Sequence, residues 1–279
     1  MPLSPFQREI LSIVSTNRTP ESYIAGGAPI TAQSDRQSGD FDIFHDRPGM
    51  VEPAALQDEK ALAAHGHELK WMRQHEGIWS AEVSNASEPF RLEWARDSAY
   101  RFFPAQRDPD FGYVLHPADL MINKVITAAS RREPRDLIDI QTLSKTLPVP
   151  AAIVAASAKD QGMTPGIVCE FINRFANYHQ KELDAEMRGV DAAALLQWIK
   201  AETRTALILA EQLDPHSLGR LYRENGKFIT PEWQKLGTYE DVIEASDSGI
   251  AARAPDVDTV SMADRYRAIQ SLKRDSGIR

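Results

Sequence analysis

Two aspartates separated by one apolar residue are the side chains of this sequence best suited to bind a divalent cation. Asp40 and Asp42 lie in a segment, 40–44, that has the alternating pattern of a half-buried strand. Because side chains alternate across a strand, we expect both carboxylates on one face and Phe41 on the other. Neighbouring carboxylates raise each other's proton affinity unless a cation neutralises them, and magnesium prefers such oxygen ligands.

A double glycine, Gly26-Gly27, stands between a short predicted strand at 22–25 and a predicted helix at 28–34. Backbone without Cβ can approach a ligand closely, and amides at a helix start point towards anions, so the pair is suited to hold phosphate. Two simpler interpretations stay open. The glycines also fit an ordinary turn, and the two aspartates also fit the solvated face of an edge strand.

A third acid follows in the predicted strand at 90–95. Phe90, Leu92 and Trp94 share one apolar face, while Arg91 and Glu93 share the other. Glu93 is therefore the candidate third carboxylate, with Asp97 as the alternative. A surface glutamate that faces only solvent or a nearby arginine explains the pattern equally well.

The order of these residues resembles a known superfamily. A double glycine followed by Arg36-x-Ser38-x-Asp40-x-Asp42 is similar to the nucleotidyltransferases related to DNA polymerase beta, and more narrowly to the AbiEii/AbiGii-type nucleotidyl transferase toxin family. Residues 115–140 add a second similarity, a leucine and lysine segment followed by Arg-Asp and a further Asp. The resemblance covers about residues 20–145.

The resemblance implies a nucleoside triphosphate site with Mg²⁺ or Mn²⁺. The metal ligands that it implies are Asp40, Asp42 and Glu93, and these three with Lys124 are the implied catalytic residues. The implied nucleotide-binding residues are Gly26, Gly27, Arg36, Ser38, Lys124, Arg131, Arg135, Asp136 and Asp139. The implied reaction transfers a nucleotide to an acceptor hydroxyl, on RNA such as transfer RNA or on protein. The implied setting is a toxin of a toxin-antitoxin or phage-defence system, with an antitoxin protein as partner.

Other interpretations of the second motif need no nucleotide. Arg135 and Asp139 have the spacing of an i,i+4 ion pair on a helix, and Asp136 suits the first turn of a helix that begins near Pro134. Ion pairing also explains Arg131. A catalytically degenerate protein of this fold, acting as a binding or regulatory partner, is therefore the alternative function, and phosphohydrolase chemistry on the same metals is a third.

Composition narrows the class of protein. The chain has 279 residues, of which 42% are hydrophobic, so it can form a substantial core. Its net charge of -8 argues against broad, sequence-independent binding to nucleic acid and leaves a local basic cleft open. The single cysteine, Cys169, excludes an internal disulfide, and we expect it to be buried.

No stretch approaches the length of a membrane span, so we expect a cytoplasmic protein with no membrane partner.

The predicted fold class is α+β, a nucleotidyltransferase-type mixed sheet with flanking helices followed by a helical C-terminal domain. The predicted domains are 1–147 and 148–279, the second with a small hairpin near 220–229, where Asn-Gly favours a tight turn. The predicted strands are 22–25, 40–44, 67–74, 78–84, 90–95 and 111–115. The predicted helices are 4–17, 28–34, 52–65, 117–130, one from Pro134, 149–160, 164–187, 191–213 and 262–275.

Overall fold

The structure is a computed structural model that describes residues 3–31, 39–85, 89–131, 133–178, 183, 189–239 and 241–247. The described part of the chain forms two compact units, and the main division falls between Leu120 and Met121. Its helices are α1 (Pro5–Val14), α2 (Ala28–Thr31), α3 (Val51–Ala64), α4 (Pro117–Arg131), α5 (Arg135–Leu143), α6 (Val149–Lys159), α7 (Pro165–Asn173) and α8 (Ala192–Gln212). Its strands are β1 (Ser22–Ala25), β2 (Asp40–His45), β3 (Leu69–His75), β4 (Ile78–Ser84), β5 (Pro89–Arg96), β6 (Tyr100–Arg101), β7 (Gln106–Asp108), β8 (Gly112–Val114), β9 (Arg220–Glu224), β10 (Lys227–Phe228), β11 (Asp241–Glu244) and β12 (Ser246–Asp247).

A seven-stranded mixed sheet dominates the first unit, with the strand order β3-β4-β5-β2-β1-β8-β7. Strands β2 and β5 pair in parallel, as do β1 and β8, whereas the other neighbouring pairs are antiparallel. Parallel neighbours need a crossover connection, and α3 lies in the chain between β2 and β5. This arrangement confirms the predicted mixed sheet with flanking helices.

One face of this sheet packs on helices α1 and α3. Apolar side chains at helical spacing on α1, including Phe6 and Ile10, join Phe41, Leu92 and Trp94 from β2 and β5 in a single buried cluster. The helix α1 starts at a capping box, in which Ser4 and Gln7 each accept a hydrogen bond from the other's backbone amide, at 3.1 and 3.0 Å. The apolar side of each central strand is therefore buried, which leaves the opposite face for polar residues.

A buried ion pair joins α3 to the end of α1 and to β5. The side chains of Arg18 and Asp58 have no exposed surface, and their closest nitrogen and oxygen atoms are 2.6 Å apart. Trp94 and Asn17 donate further hydrogen bonds to Asp58, each at 2.7 Å. Buried charges are tolerated where every lone pair has a partner, so this network fixes α3 against the sheet.

The second unit is mostly helical. Helices α6 and α7 pack on the long helix α8, and the chain then forms a three-stranded sheet in the order β10-β9-β11. The predicted hairpin is confirmed, because Asn225 and Gly226 connect β9 to β10 with φ angles of 51° and 73°. Cys169 is buried as expected, and burial raises the pKa of its thiol to about 12.

Several predicted boundaries need correction. Within the helix predicted at 164–187, α7 ends at Asn173, and a 3₁₀-helical turn, Arg174–Asn177, follows it and buries Phe175 completely. Residues 179–182 and 184–187 of that prediction lie outside the described residues. The helix predicted from Pro134 starts one residue later, at Arg135. The short strands β6, β7, β11 and β12 were not predicted, since two to four residues carry too little alternation. The helix predicted at 262–275 lies outside the described residues, as do residues 32–34 of the helix predicted at 28–34.

The predicted division into domains 1–147 and 148–279 stays a prediction. The compact units are defined by packing within the folded chain, and packing does not test whether either part folds alone.

Candidate functional site

The predicted acids lie on one face of the central sheet. In the parallel pair of β2 and β5, Asp40 lies opposite Arg91 and Asp42 lies opposite Glu93. Neighbouring strands are about 4.8 Å apart and opposite residues project from the same face, so these four side chains are immediate neighbours. We call this group the carboxylate face: Asp40, Asp42, Arg91 and Glu93. Its strands project Phe41, Ile43, Leu92 and Trp94 from the other side into the core.

Within the carboxylate face, Arg91 binds one of the acids. Its Nη2 atom donates to Oδ2 of Asp40 at 2.7 Å, and the side chain of Asp40 retains 18% of its exposure against 48% for Arg91. The hydrogen bond to Asp40 raises the pKa of Arg91, and the charges of Glu93 and Asp42 add to the effect. The guanidinium of Arg91 therefore interacts electrostatically with Asp40, Asp42 and Glu93.

Gly26 forms the other wall of this site. It has a φ angle of 64°, in the left-handed region, and a Cβ built on its backbone would overlap the carboxylate of Asp42. In the antiparallel pair of β1 and β2, the preceding residue Ala25 lies opposite Asp42. Gly26 is therefore required for Asp42 to take its place. Gly27 follows, and its carbonyl accepts hydrogen bonds from the amides of Ile30 and Thr31 at 3.1 and 2.9 Å, which starts α2.

The carboxylate face suits a hard divalent cation through two of its acids. Asp42 and Glu93 are directly opposite each other, and magnesium usually takes only one or two protein carboxylates, with water and phosphate oxygens completing its shell. Asp40 forms an ion pair with Arg91. Within the described residues no three His, Cys, Asp or Glu side chains gather closely enough to hold a metal by themselves. Metal binding by Asp40, Asp42 and Glu93 stays a prediction.

A β-bulge extends this polar face to the edge of the sheet. Trp71 pairs with Ala81, but the next pairing joins Arg73 to Ser80, so one extra residue is inserted in β3. Ser80 in turn lies opposite Glu93, which places Arg73 on the face of Asp42 and Glu93. Strict alternation after Trp71 would have turned Arg73 towards the core face. Lys70 lies on the polar face as well, opposite Glu82.

A second cluster of predicted residues lies in the second unit, and we call it the lysine cluster: Lys124, Arg131, Asp136 and Asp139. The Nζ atom of Lys124 is 3.0 Å from Oδ1 of Asp136 and 2.9 Å from Oδ2 of Asp139. Only 8% of the Lys124 side chain is exposed, and the two aspartate side chains are almost completely buried. In this structure Lys124 binds both aspartates. A direct contact of Lys124, Asp136 or Asp139 with a nucleotide stays a prediction.

Arg131 completes the neutralisation of Asp136. Its Nε and Nη2 atoms donate to the two carboxylate oxygens at 3.0 and 2.9 Å, a bidentate arrangement. Burial acts to raise the pKa of Asp136, but the hydrogen bonds from Arg131 and the charge of Lys124 outweigh burial and lower it below its ordinary value. Asp136 also lies in the first turn of α5, as the simpler interpretation predicted.

The i,i+4 ion pair predicted for Arg135 and Asp139 is replaced by other contacts. Arg135 pairs with Glu133 at 2.5 Å, and Asp139 pairs with Lys124. The lysine on α4 reaches Asp139 because that side chain points from α5 into the buried cluster, whereas Arg135 is partly exposed. The role of Arg135 in nucleotide binding stays a prediction.

Two predicted nucleotide-binding residues, Arg36 and Ser38, lie outside the described residues. Two other residues of interest were not predicted. The ion pair of Arg91 with Asp40 depends on the register of two strands and joins residues 51 positions apart in the chain, although the alternation of 90–95 already placed Arg91 beside Glu93. The orientation of Arg73 depends on a bulge, and the alternation of β3 gives no signal for it.

Comparisons with known proteins find only distant structural likenesses. No protein-family model and no curated protein sequence matches the chain. The crystal structure of JHP933 from Helicobacter pylori is 12% identical, with a TM-score of 0.46 over 75% of this chain and 95% of that one. The antibiotic-resistance factor ANT(2'')-Ia is 9% identical, with a TM-score of 0.36 over 63% of this chain and 94% of that one. Cid1, an RNA terminal uridylyl transferase, is 12% identical, with a TM-score of 0.29 over 81% of this chain and 71% of that one.

The resemblance to the AbiEii/AbiGii-type family stays a prediction, and a proposal of function rests on the residues of this chain. Among the helices that the structure describes, none combines the length and the apolar character needed to cross a bilayer. A cytoplasmic location stays a prediction.

Proposed function

We propose that this chain is a metal-dependent nucleotidyltransferase that transfers a nucleotide from a nucleoside triphosphate to an acceptor hydroxyl. One observation carries the proposal. Asp42 lies opposite Glu93 on adjacent parallel strands, and the backbone of Gly26 packs against the carboxylate of Asp42 where no side chain would fit. Two acids and a bare backbone thus meet at one place on the polar face of the sheet, which suits a metal-bound triphosphate.

Each residue has a distinct task in this proposal. Asp42 and Glu93 supply the oxygen ligands for Mg²⁺ or Mn²⁺, and Asp40 joins them when it is released from Arg91. The backbone amides at Gly26 and Gly27, where α2 begins, are the proposed donors to the triphosphate. The chemistry that a bound metal supplies is stabilisation of charge on the entering and leaving oxygens. Phosphate contacts by Lys124, Arg36 and Ser38 are proposed from the resemblance.

The proposed reaction is an in-line displacement at the α-phosphorus. A bond forms between the acceptor oxygen and the α-phosphorus, and the bond from that phosphorus to the α,β-bridging oxygen breaks. Pyrophosphate leaves with the electron pair of the broken bond. The proton of the acceptor hydroxyl passes to a carboxylate of the carboxylate face and from there to solvent. Positioning and charge therefore account for the catalysis.

The acceptor that we propose is RNA, including transfer RNA, and the edge strand β3 is the surface that suits it. Lys70 and Arg73 project from the polar face of β3, and no described residue forms an ion pair with either. Two exposed cations beside an acidic site can hold the phosphates of a polynucleotide without needing a strongly basic protein. A protein acceptor is the alternative. A toxin role with an antitoxin partner belongs to the same proposal and comes from the resemblance.

A second candidate function has one observation in its favour. Asp40 is paired with Arg91, and Lys124 is enclosed by two aspartates, so two predicted catalytic groups are already neutralised. A catalytically degenerate chain that acts as a binding or regulatory partner accounts for this as well. Bound substrate would have to rearrange both ion pairs if the chain is an enzyme.

A labelling experiment tests the proposed function. The full chain is incubated with each α-labelled nucleoside triphosphate, Mg²⁺ or Mn²⁺, and bulk RNA or protein, and label in the macromolecule is measured. We expect transfer by the wild type and a loss of about 100-fold or more in Asp42→Asn, because a metal ligand contributes several kcal/mol to the transition state. Asp110→Asn is the control, an exposed aspartate of the same unit.

Other outcomes separate the alternatives. Undiminished transfer by Asp42→Asn contradicts the assigned site. Release of inorganic phosphate without incorporation of label favours a phosphohydrolase. No turnover with any triphosphate, combined with a tight complex with another protein, favours the degenerate partner.

A further inference from the structure

We propose that Arg91 is a built-in counter-cation of the carboxylate face: it holds Asp40 when no divalent cation is bound and competes with that cation for Asp40. The inference rests on the proposed function, because it concerns the same acids. It assigns to Arg91 a positioning role that controls when Asp40 becomes a metal ligand.

Strand register makes the Arg91 contact a fixed feature of the sheet. Arg91 lies directly opposite Asp40 on the parallel neighbour and directly opposite Glu82 on the antiparallel neighbour. Two residues further along β5, Glu93 lies on the same face and opposite Asp42. The guanidinium therefore projects into a group of four acids, and it binds Asp40 at 2.7 Å.

Competition follows from where the Arg91 bond is made. The guanidinium donates to Oδ2 of Asp40, one of the two oxygens that a metal would use. A divalent cation bound to the same carboxylate would repel the guanidinium at close range, so occupancy by one weakens binding of the other. Arg91 keeps almost half of its side-chain exposure, which gives it room to move away.

Replacement of the Arg91 contact on Asp40 by a divalent cation should change the folding stability little. An ion pair this exposed contributes little net stability, because water solvates both partners and the long side chain loses freedom in the pair. The expected consequence is weak binding of a metal by itself. Metal that arrives with a triphosphate has further ligands on the phosphates and can displace Arg91, which is then free to pair with a phosphate oxygen.

Binding of Mn²⁺ alone, without nucleotide, tests this inference on the full chain. Free Mn²⁺ is measured by electron paramagnetic resonance during titration of the wild type, Arg91→Gln and Arg96→Gln. We expect Arg91→Gln to lower the Kd for Mn²⁺ by roughly fivefold, the scale of one removed exposed charge contact. Arg96 is an exposed arginine on the same strand, so Arg96→Gln removes the same net charge and controls for it.

Two further variants make each result decisive. Arg91→Lys keeps the charge and should bind Mn²⁺ more nearly as the wild type does, whereas Asp42→Asn should lose the site. Equal or weaker Mn²⁺ binding by Arg91→Gln overturns the inference, and if Asp42→Asn still loses binding, the proposed function stands. Binding that is unaffected by Asp42→Asn overturns both. Binding that is absent from all the variants overturns the inference, and the labelling experiment then decides the proposed function. Melting temperatures of the variants, expected to match the wild type closely, verify the fold.

Discussion

The α-carbon of Gly26 packs against the carboxylate of Asp42, with no space between them for a side chain. The two residues come from adjacent antiparallel strands, and the left-handed φ angle of Gly26 lets the chain turn away from the sheet at this point. The glycine thus acts on the acid directly, by leaving room for it. This contact explains why a glycine immediately follows β1.

Replacing Gly26 by alanine should cost more stability than the same change at Gly49. Both glycines have a left-handed φ angle, 64° and 76°, but only at Gly26 would the new Cβ meet another group. We expect Gly49→Ala to lose about 1–2 kcal/mol from backbone strain alone. Gly26→Ala should lose more and should also weaken Mn²⁺ binding, because Asp42 must move. Chemical denaturation and Mn²⁺ titration measure the two effects, and equal losses in both variants would contradict the contact.

A buried histidine should make the first unit sensitive to acid. Burial, together with the positive charge of Arg18, lowers the pKa of His45 to about 4, and no described group forms a hydrogen bond with its Nε2 atom. Since the unfolded chain then binds a proton more readily, His45 contributes stability above pH 6.5 that is lost as the pH falls towards 4. The lowering of the His45 pKa from 6.5 to about 4 corresponds to about 3 kcal/mol of unfolding free energy.

The test of the His45 prediction combines two measurements. NMR titration of labelled histidine, with the resonance assigned by its absence from His45→Phe, should show that His45 remains neutral at pH 5. Unfolding free energies from pH 7 to 4 should fall less steeply for His45→Phe than for the wild type. A midpoint near 6.5 for His45 would remove the basis of the prediction.

Local patterns predicted the strands that carry the acids, because each strand has one buried and one polar face. Alternation alone put Asp40 with Asp42, and Arg91 with Glu93. The parallel pairing of β2 with β5, which makes Asp42 the neighbour of Glu93, depends on a crossover through α3 and is not encoded in either strand. The sequence therefore indicated the members of the site better than the contacts among them.

The second motif, residues 115–140, shows a different limit of prediction from sequence. Helical spacing predicted an ion pair between Arg135 and Asp139, yet Asp139 instead meets Lys124, from the preceding helix. Local ion pairs on exposed helices contribute only a few tenths of a kcal/mol, so a buried partner from another helix readily overrides them. Burial of Asp139 could not be read from its spacing.

Removing the positive charges of β3 should affect the acceptor and spare the nucleotide. If RNA crosses the edge of the sheet, Lys70→Gln and Arg73→Gln should each raise the KM for RNA several-fold with little change in the KM for triphosphate. Arg107→Gln, at an exposed position on β7 at the opposite edge of the sheet, is the control. Affinity for RNA in the two β3 variants should also depend less steeply on salt. Unchanged KM values in both variants would exclude this edge as the acceptor surface.

Lys124 should be important for folding irrespective of any contact with phosphate. Its ammonium lies between the buried carboxylates of Asp136 and Asp139, so Lys124→Met removes a cation that contacts both buried acids, whereas Arg131 remains on Asp136. Loss of one partner from such a buried cluster typically costs about 3–5 kcal/mol, and we expect a loss of this size in denaturant unfolding. Lys145→Met, at an exposed position, should change stability by less than about 0.5 kcal/mol. A Lys124→Met protein that is as stable as the wild type but fails to transfer nucleotide would instead establish Lys124 as a phosphate ligand, since its charge would then be needed only by the substrate.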